Sequence, residues 1–296
     1  MAITRRTMIM GTAALAGTLP FRLHASTTVG NYTVDTLSDG NLILPAGFIL
    51  GEHVNDAADI LARYDLGTEQ LTPDCNVTLL RDGENTVLID VGSGMNFQPS
   101  AGRLVDSLDT LGVAPEDVTH VLFTHAHPDH LWGVLDDFDE PVFYNARHMI
   151  GRAERDYWLD PETVNTIGEE RMAFAAGALR YLNAVEMDVF EDGDDVLSGL
   201  QAVGTPGHTP GHMAFAVNGS DPLVIVGDSI GNHHVAFEQP QWELGSDQDG
   251  ELGAATRTAL LDRLNADKAM LIGFHFPFPG IGHAEKSGDG YRFIPA

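Results

Sequence analysis

Cysteine is almost absent from this 296-residue chain, in which Cys75 is the single example. One thiol cannot form an intrachain disulfide, so the fold has to be stabilised by its apolar core. The hydrophobic share of 43% is ample for such a core in a chain of this length. We interpret Cys75 as a small buried hydrophobic residue, because it lies outside every cluster of candidate functional residues.

Positive charge is also scarce. Lys268 and Lys286 are the only lysines, and 16 basic residues stand against 43 acidic ones, which gives a formal net charge of -27. A surface this acidic repels phosphate backbones and anionic lipid. Nucleic acid is therefore excluded as an expected partner or substrate.

No apolar run is long enough to span a bilayer, which takes about 20 residues. The mostly apolar stretch 8–19 follows Arg5 and Arg6, and the small residue Ala25 comes shortly after it. This segment resembles a twin-arginine export signal; the alternative is an ordinary apolar N-terminus. We predict that residues 1–25 are removed after transit through the twin-arginine machinery. Residues 26–296 would then form one periplasmic or secreted domain without stable membrane insertion.

Four ionisable side chains are concentrated in the sequence THAHPDH at positions 124–130, namely His125, His127, Asp129 and His130. They follow the apolar run 118–123, which we predict to be a buried strand. Imidazole nitrogen and carboxylate oxygen suit zinc and its first-row neighbours, and ligands on a short turn after a strand can converge on one point. The motif therefore indicates a metal site.

Strand and helix patterns continue on both sides of this motif. Two apolar runs, 32–37 and 42–44, flank Ser-Asp-Gly-Asn at 38–41 and predict a hairpin. A strand over 142–145 and a helix over 146–157 are predicted after the motif. Later strands are expected to end just before His208, Asp228 and His275. Candidate residues at strand ends in both halves indicate an α+β fold, a four-layer αβ/βα sandwich with the metals at one edge.

The spacing HxHxDH resembles the signature of the metallo-β-lactamase superfamily of metallohydrolases. TPGHTPGH at 205–212, VIVGDS at 224–229 and IGFHFP at 272–277 resemble its later landmarks in the same order. The resemblance implies the sandwich fold of that family and two divalent metal ions per chain. Zinc is the expected metal, with manganese, cobalt or iron as alternatives, and no further cofactor is expected. It assigns the metal ligands as His125, His127 and His208 for one ion, Asp129, His130 and His275 for the other, and Asp228 as the bridge.

The resemblance also implies a reaction, in which metal-bound hydroxide attacks the substrate. Asp129 and Asp228 are then the catalytic residues, and Asp129 either binds metal alone or also handles a proton. Asp90, in IDVGSG at 89–94, is expected to orient the histidine loop through hydrogen bonds. The N-terminal residues Phe48, Ile49 and Leu50 are candidates for the substrate pocket.

Two further segments, 245–257 and 273–283, resemble the branch of the family that contains methyl parathion hydrolase and exported lactonases. We therefore expect a hydrolase of small lactones, esters or organophosphate triesters, possible as a homodimer. The alternatives are a metal β-lactamase and a mononuclear iron oxidoreductase. Well-known lactonases carry a tyrosine three residues after the bridging aspartate, where this chain has Gly231. Either another residue, with His233 and His234 nearby, makes that substrate contact, or the enzyme is of another type.

Overall fold

The computed structural model describes residues 24–296. The predicted export signal over residues 1–25 lies outside the described residues, apart from the two that begin the first strand. The chain from there to the middle forms nine strands: β1 His24–Val29, β2 Tyr32–Asn41, β3 Leu44–Pro45, β4 Gln70–Leu71, β5 Asp74–Arg81, β6 Thr86–Ile89, β7 His120–Phe123, β8 Arg147–Gly151 and β9 Met187–Phe190. Seven of them form one sheet in the order β1-β2-β5-β6-β7-β8-β9, and β3 pairs with β4 separately.

The second half of the chain forms another seven-stranded sheet, in which the spatial order follows the sequence order from β10 to β16. Its strands are β10 Asp195–Leu197, β11 Leu200–Gly204, β12 Met213–Val217, β13 Leu223–Gly227, β14 Met270–Gly273, β15 Ile281–Ser287 and β16 Gly290–Pro295. The α-helices of the described chain are α1 Ala46–Leu50, α2 Ala58–Arg63, α3 Leu104–Thr110, α4 Pro128–Leu131, α5 Arg152–Leu159, α6 Thr163–Thr166, α7 Met172–Leu182, α8 Val235–Glu238 and α9 Gly250–Asp267. Among residues 24–296, no helix has the length and apolar character that crossing a membrane requires.

Three apolar layers hold these elements together. The middle layer joins the facing sheets, with Leu122 of β7 and Ile225 of β13 among its buried members. A second layer packs the first sheet against α3 and α7, and a third packs the second sheet against α2 and α9. Two sheets between two helical layers confirm the predicted four-layer sandwich of the metallo-β-lactamase type.

The predicted hairpin turn at 38–41 is wrong. β2 continues through Asn41 and pairs with β5, and the register shifts between Ser38 and Asn41. The turn-like sequence forms an irregularity within a strand because the Asp39 carboxylate is buried and accepts hydrogen bonds from the backbone N–H groups of Ser93, Gly102 and Leu104. Long-range contacts thus outweigh the local turn preference.

The predicted strand over 142–145 is also wrong, because the strand of this region lies slightly later, at β8. β8 pairs in parallel with β7 and occupies residues that we predicted as the start of a helix. That helix begins only after β8, as α5. Pairing with the neighbouring strand explains the shift, since β propensity depends strongly on tertiary context.

Candidate metal centre

The candidate residues lie where the strands of the two sheets end. In the first sheet β6, β7 and β8 are parallel, so their carboxyl ends share one edge, and the 125–130 loop follows β7. In the second sheet β11, β13 and β14 run in one direction and are followed by His208, Asp228 and His275. The structure brings all seven predicted residues together between these two edges.

One group of side chains consists of His125, His127, His208 and Asp228, whose ligand atoms all lie within 4.8 Å of one another. His208 Nε2 lies 2.9 Å from His127 Nδ1 and 3.4 Å from Asp228 Oδ2. All four side chains are buried. Three imidazoles and one carboxylate converging in this way form a suitable cradle for one divalent cation.

A second group shares Asp228 with the first. The ligand atoms of His130, Asp228 and His275 lie within 4.8 Å of one another. Asp129 joins them, since its Oδ2 is 3.2 Å from His275 Nε2 and 3.5 Å from His130 Nε2. Asp228 directs Oδ1 towards His130 and Oδ2 towards His275 and the first group. One carboxylate between two ligand groups is the arrangement expected for a pair of cations.

The hydrogen bonding of the cluster fits bound metal. Buried polar atoms in proteins almost always have a hydrogen-bond partner. Four atoms at the centre of this cluster are buried without one: His125 Nε2, His130 Nε2, Asp129 Oδ2 and Asp228 Oδ1. A divalent metal would satisfy such nitrogen and oxygen atoms, so the residues present fit the divalent ions that we predict.

The electrostatics of the cluster also require positive charge. Burial raises the pKa of Asp228, but the neighbouring His275 and His130 side chains lower it well below its ordinary value. Burial lowers the pKa of His130, yet Asp228, Asp129 and Asp90 raise it to about 10. The carboxylates thus stay ionised and draw positive charge into a buried space. A divalent cation held by these residues would supply that charge in place of the protons on the histidines.

Asp90 supports the histidine loop as we predicted. Its Oδ2 lies 2.8 Å from His130 Nδ1, and the Thr124 backbone N–H and hydroxyl both donate to the same carboxylate. Because a carboxylate accepts, Nδ1 of His130 carries the proton and Nε2 faces the cluster. Asp90 itself has a φ of 65°, a left-handed conformation that places its side chain beneath the loop.

Two residues in the 245–257 segment support His208 and were not identified from the sequence. Asp247 Oδ1 lies 3.3 Å from His208 Nδ1, and Asp247 Oδ2 accepts from Arg257 Nη1 at 3.0 Å. Arg257 is fully buried and also donates to the carbonyls of Pro240 and Trp242. Asp247 therefore orients a predicted ligand while the buried arginine holds Asp247 in place.

Glu154 is a further buried residue that the sequence did not reveal. It follows β8 in α5 and contacts both the 125–130 loop and the loop that carries His208. Burial raises its carboxyl pKa, and the hydrogen bonds that it accepts lower it. The sequence signal for Glu154 is its position just after β8, but the sequence predicts a continuous helix over 146–157 there and so does not place Glu154 at a strand end.

Cys75 is buried, as predicted, but it lies against the cluster. Its sulfur lies within 4.8 Å of ligand atoms of Asp129 and His275. Burial raises the pKa of the Cys75 thiol to about 12, so it stays protonated at neutral pH. The neighbouring Asp74 carbonyl accepts from His275 Nδ1 at 2.9 Å, which leaves Nε2 of His275 facing the carboxylates.

A cavity with a volume of about 60 Å³ opens onto the cluster. Its polar floor includes His127, Asp129 and His275, and its walls are apolar. The wall residues are Leu42, Leu44, Phe48, Ile49, Phe97 and Phe174. Of the three predicted N-terminal pocket residues, Phe48 and Ile49 line this cavity, whereas Leu50 is buried in the core beneath it. The cavity therefore combines apolar walls with a few polar groups at its floor, the composition that is common in small-molecule sites.

Gly231 lines the same cavity, but His233 and His234 do not. His234 caps α8, where its Nδ1 accepts from the Val235 backbone N–H at 2.8 Å. His233 packs edge-on against Tyr64, with 5.1 Å between the ring centroids. Neither histidine therefore lines the cavity directly above the cluster, although both line the space that adjoins it at Gly231.

Comparison with known proteins agrees with this geometry. Residues 72–275 match the family model described as the metallo-beta-lactamase superfamily, and the chain belongs to that superfamily. It is 33% identical over 146 residues to the N-acyl homoserine lactonase AttM of Agrobacterium fabrum, an alignment that covers 47% of this chain and 49% of AttM. The chain thus spans about half the length of this curated relative.

Two solved structures resemble almost the whole chain. AidC, a dizinc quorum-quenching lactonase in complex with a product, has a TM-score of 0.86 at 25% identity, over 93% of this chain and 99% of AidC. The hydrolase AbOPH has a TM-score of 0.86 at 26% identity, over 94% of this chain and 99% of AbOPH. Family model, fold and the His/Asp cluster together place the chain in this superfamily, with a cluster suited to divalent metals.

Proposed function

We propose that this protein hydrolyses small uncharged lactones at a site with two divalent metal ions. The observation that carries the proposal is the pair of ligand groups that share Asp228 beneath an apolar cavity. The similarity to the lactonases AttM and AidC supports the choice of lactones. Esters and phosphotriesters are the neighbouring classes against which this choice has to be tested.

The ligand groups suggest how the metals are held. His125, His127 and His208 would hold one ion, and Asp129, His130 and His275 the other, with Asp228 between them. When bound, the ions would supply Lewis-acid activation of a substrate carbonyl and of water. Zinc is the first choice, and manganese, cobalt or iron accept the same ligands.

The protein's own residues orient the substrate and exclude water. Phe48, Phe97 and Phe174 line the cavity above the cluster and leave little room for solvent around a bound lactone. The same walls disfavour a charged substrate, because burying an unpaired charge costs free energy. The lactone ring would therefore bind with its polar edge towards the floor of the cavity.

Asp129 is the residue that we assign to proton transfer. It lines the cavity, and its Oδ2 has no hydrogen-bond partner within the protein. Oδ2 faces the other predicted ligands His130 and His275, so the proton taken from the attacking water would sit on Oδ1 and pass from there to the oxygen that leaves when the ring opens. Asp129 thus would both bind metal and assist the leaving group.

We also propose that the protein acts outside the cytoplasm after twin-arginine export. The support is the sequence of residues 1–25, with Arg5 and Arg6 ahead of an apolar run. N-terminal sequencing of protein isolated from fractionated cells tests this directly. A mature N-terminus near residue 26 in the periplasmic or secreted fraction is expected, and a cytoplasmic protein that retains Arg5 and Arg6 would contradict export.

The test of the catalytic proposal combines metal analysis with substrate comparison. Metal per chain is measured by elemental analysis, alongside initial rates on a γ-lactone, an aryl ester, a phosphotriester and a β-lactam. Two metals and fastest turnover of the lactone are expected, with activity lost on chelation and regained with added zinc. Faster turnover of the phosphotriester or the β-lactam would show that the substrate is not a lactone but that compound's class. One iron ion per chain and no hydrolysis of any substrate would indicate an oxidoreductase.

A matched pair of variants tests the shared carboxylate. Asp228→Asn removes the charge between the two ligand groups and is expected to abolish turnover and lower the metal content, while circular dichroism stays that of the folded sandwich. Asp221→Asn makes the same change at an exposed position and is expected to keep both the turnover and the metal content of the wild-type protein. Full activity of Asp228→Asn would contradict the two-metal mechanism.

A further inference from the structure

One arginine contacts several of the segments that enclose the cavity above the metal centre. Arg171 comes directly before α7, the helix that carries the wall residue Phe174. Its Nη2 donates to the backbone carbonyl of Gly245 at 2.6 Å. Its Cζ lies 5.3 Å from the centroid of the ring of Phe48, a wall residue in α1. Arg171 thus joins the start of α7 to α1 and to the segment 245–247.

The guanidinium group suits this position because it is planar. Such a group can lie over an aromatic face while its N–H groups donate in its own plane. A lysine ammonium is a point charge and lacks that geometry. The Arg171 side chain is half-buried, and it does not line the cavity itself. Its contacts are therefore with the walls of the cavity and not with a substrate.

Gly245 lies where α1 and the segment 245–247 touch. The backbone N–H of Ser246 donates to the carbonyl of Ile49 at 3.2 Å. A Cβ atom built on Gly245 would lie 2.7 Å from the backbone nitrogen of Gly51 and 2.8 Å from the carbonyl oxygen of Phe48. The two backbones are therefore in direct contact, and the arginine donates to a carbonyl at that contact.

Residues of both segments belong to the site. Phe48, Ile49 and Ser246 line the cavity, and Asp247 supports His208. The Asp247 carboxylate is held separately, by the buried guanidinium that donates to its other oxygen. A looser contact between the two segments would therefore change the shape of the cavity, while the metal ligands keep their own supports.

The same helix offers a matched arginine at its other end. The Cζ atom of Arg180 lies 5.2 Å from the centroid of the Tyr181 ring, and its guanidinium pairs with Asp139. The Arg180 side chain is more than half exposed, and neither of its partners lines the cavity. Arg180 thus has an aromatic contact and an oxygen acceptor, as Arg171 has, but away from the site.

We propose that Arg171 is a positioning residue, which holds Phe48 and the segment 245–247 against the start of α7 and so keeps the cavity in the shape that binds substrate. The proposal rests on the hydrolase function proposed above and adds a residue that acts through the walls of its site. Because Arg171 touches neither the cavity nor the metal cluster, its loss should weaken substrate binding and leave the chemical step and the metal content unchanged.

The experiment compares three variants of the metal-loaded protein with the wild type. Arg171→Gln removes the charge and the planar fork, Arg171→Lys keeps the charge alone, and Arg180→Gln makes the first change at the control position. For each protein kcat and KM are measured on the substrate that the wild type hydrolyses fastest. Elemental analysis gives the metal content, and hydrogen exchange followed by mass spectrometry reports on the backbone over 46–51 and 245–249.

We expect Arg171→Gln to raise KM about tenfold, because a cation–π contact and a charged hydrogen bond are lost together. Its kcat should change by less than about twofold, since only binding is affected. Hydrogen exchange over both segments should become about tenfold faster, at unchanged metal content. Arg171→Lys should lie between this variant and the wild type, and Arg180→Gln should match the wild type in every measurement.

Unchanged KM and unchanged exchange rates in Arg171→Gln would overturn the proposal. A lower kcat at unchanged KM would overturn it as well, because a smaller folded fraction has that effect and looser cavity walls do not. If the wild-type protein hydrolyses none of the substrates, the proposed function fails instead. The exchange rates need no substrate, so they would still decide whether Arg171 holds the two segments.

Discussion

The carboxylate of Glu154 lies 2.7 Å from the hydroxyl of Thr209, the residue that follows His208. Its other oxygen accepts at 3.0 Å from the backbone N–H of Ala126, which lies between His125 and His127. Trp158 Nε1 and the Gly211 backbone N–H complete four donors around one buried carboxylate. A single side chain therefore links two loops that are distant in sequence and together carry five of the seven predicted metal ligands.

Replacing Glu154 with glutamine should weaken metal binding. A glutamine amide has one accepting oxygen, so its NH₂ group would face donors that the carboxylate now satisfies. We expect the metal affinity to fall about 10- to 100-fold, as is common when a residue that orients ligands is lost. The free energy of unfolding should fall by about 1–3 kcal/mol, because buried donors lose their acceptor. Competition with a chromophoric chelator and urea unfolding measure the two effects.

The exposed Glu170 provides the matched control for this change. Glu170→Gln alters the same functional group without touching either loop, and both its metal affinity and its unfolding midpoint should match the wild-type protein. If the Glu154 and Glu170 variants bind metal equally well, Glu154 does not position the two loops.

Asp247→Asn should destabilise the fold and disturb His208 together. The buried Arg257 guanidinium would keep its carbonyl partners but lose its counter-charge, and breaking a buried pair from one side costs about 3–5 kcal/mol. Asn would also hold the His208 imidazole less firmly, so the metal affinity should fall. Urea unfolding and chelator competition report the two losses separately.

An exposed ion pair serves as the comparison for this prediction. Arg292 Nη2 lies 3.1 Å from Glu285 Oε1, and both side chains are more than half exposed. Glu285→Gln should change the unfolding free energy by less than about 1 kcal/mol, because solvent screens such pairs. If the two variants lose the same free energy of unfolding, the buried pair of Asp247 and Arg257 stabilises the fold no more than the exposed pair does.

The residues at the centre of the cluster could be predicted because each has a local signal. His125 to His130 lie within six positions behind an apolar strand, and His208, Asp228 and His275 each follow a predicted strand. Strands that end at one edge bring such residues together whatever the details of the helices between them. The sandwich and its site could be inferred from those strand ends.

The supporting residues could not be predicted in the same way. Asp247 is 39 residues from His208, and Glu154 is 28 residues from Ala126. No spacing rule connects such pairs, because the contact depends on how separate elements pack. The same reason explains the two wrong elements: the buried contacts of Asp39 turn an expected hairpin into an irregular strand, and pairing with β7 moves the strand to β8.

Gly211→Ala should displace the loop that carries His208. A Cβ atom on Gly211 would lie 2.0 Å from the backbone nitrogen of Glu154, and backbone cannot move aside as a side-chain end can. We expect a loss of about 1–3 kcal/mol in unfolding free energy, typical of overpacking, with weaker metal binding. Gly67 is the control, because nothing lies within 4 Å of a Cβ built there. Equal midpoints for the two alanine variants would contradict the close contact.

Asp39 should make stability depend on pH between about 4 and 6. Burial raises the pKa of its carboxyl from 3.8 to about 6, although hydrogen bonds from Ser93, Gly102 and Leu104 lower it. The folded protein then holds this proton more tightly than the unfolded chain, so ionisation disfavours folding as the pH rises through that range. Since one pKa unit corresponds to about 1.36 kcal/mol, the effect is roughly 1–3 kcal/mol.

Asp39→Asn removes this ionisable group, so comparing the unfolding free energies of the wild-type protein and the variant isolates the contribution of Asp39. The free energy of unfolding of the wild-type protein minus that of the variant should decrease from pH 4 to pH 6 and stay constant above pH 7. Asp39 accepts its hydrogen bonds from Ser93, Gly102 and Leu104, none of which is a predicted metal ligand, so the titration of the metal centre should cancel in the difference. Urea unfolding of both proteins at intervals of half a pH unit measures this difference in unfolding free energy. A difference that stays constant or increases over pH 4–6 would show that the buried carboxyl does not hold its proton as the structure indicates.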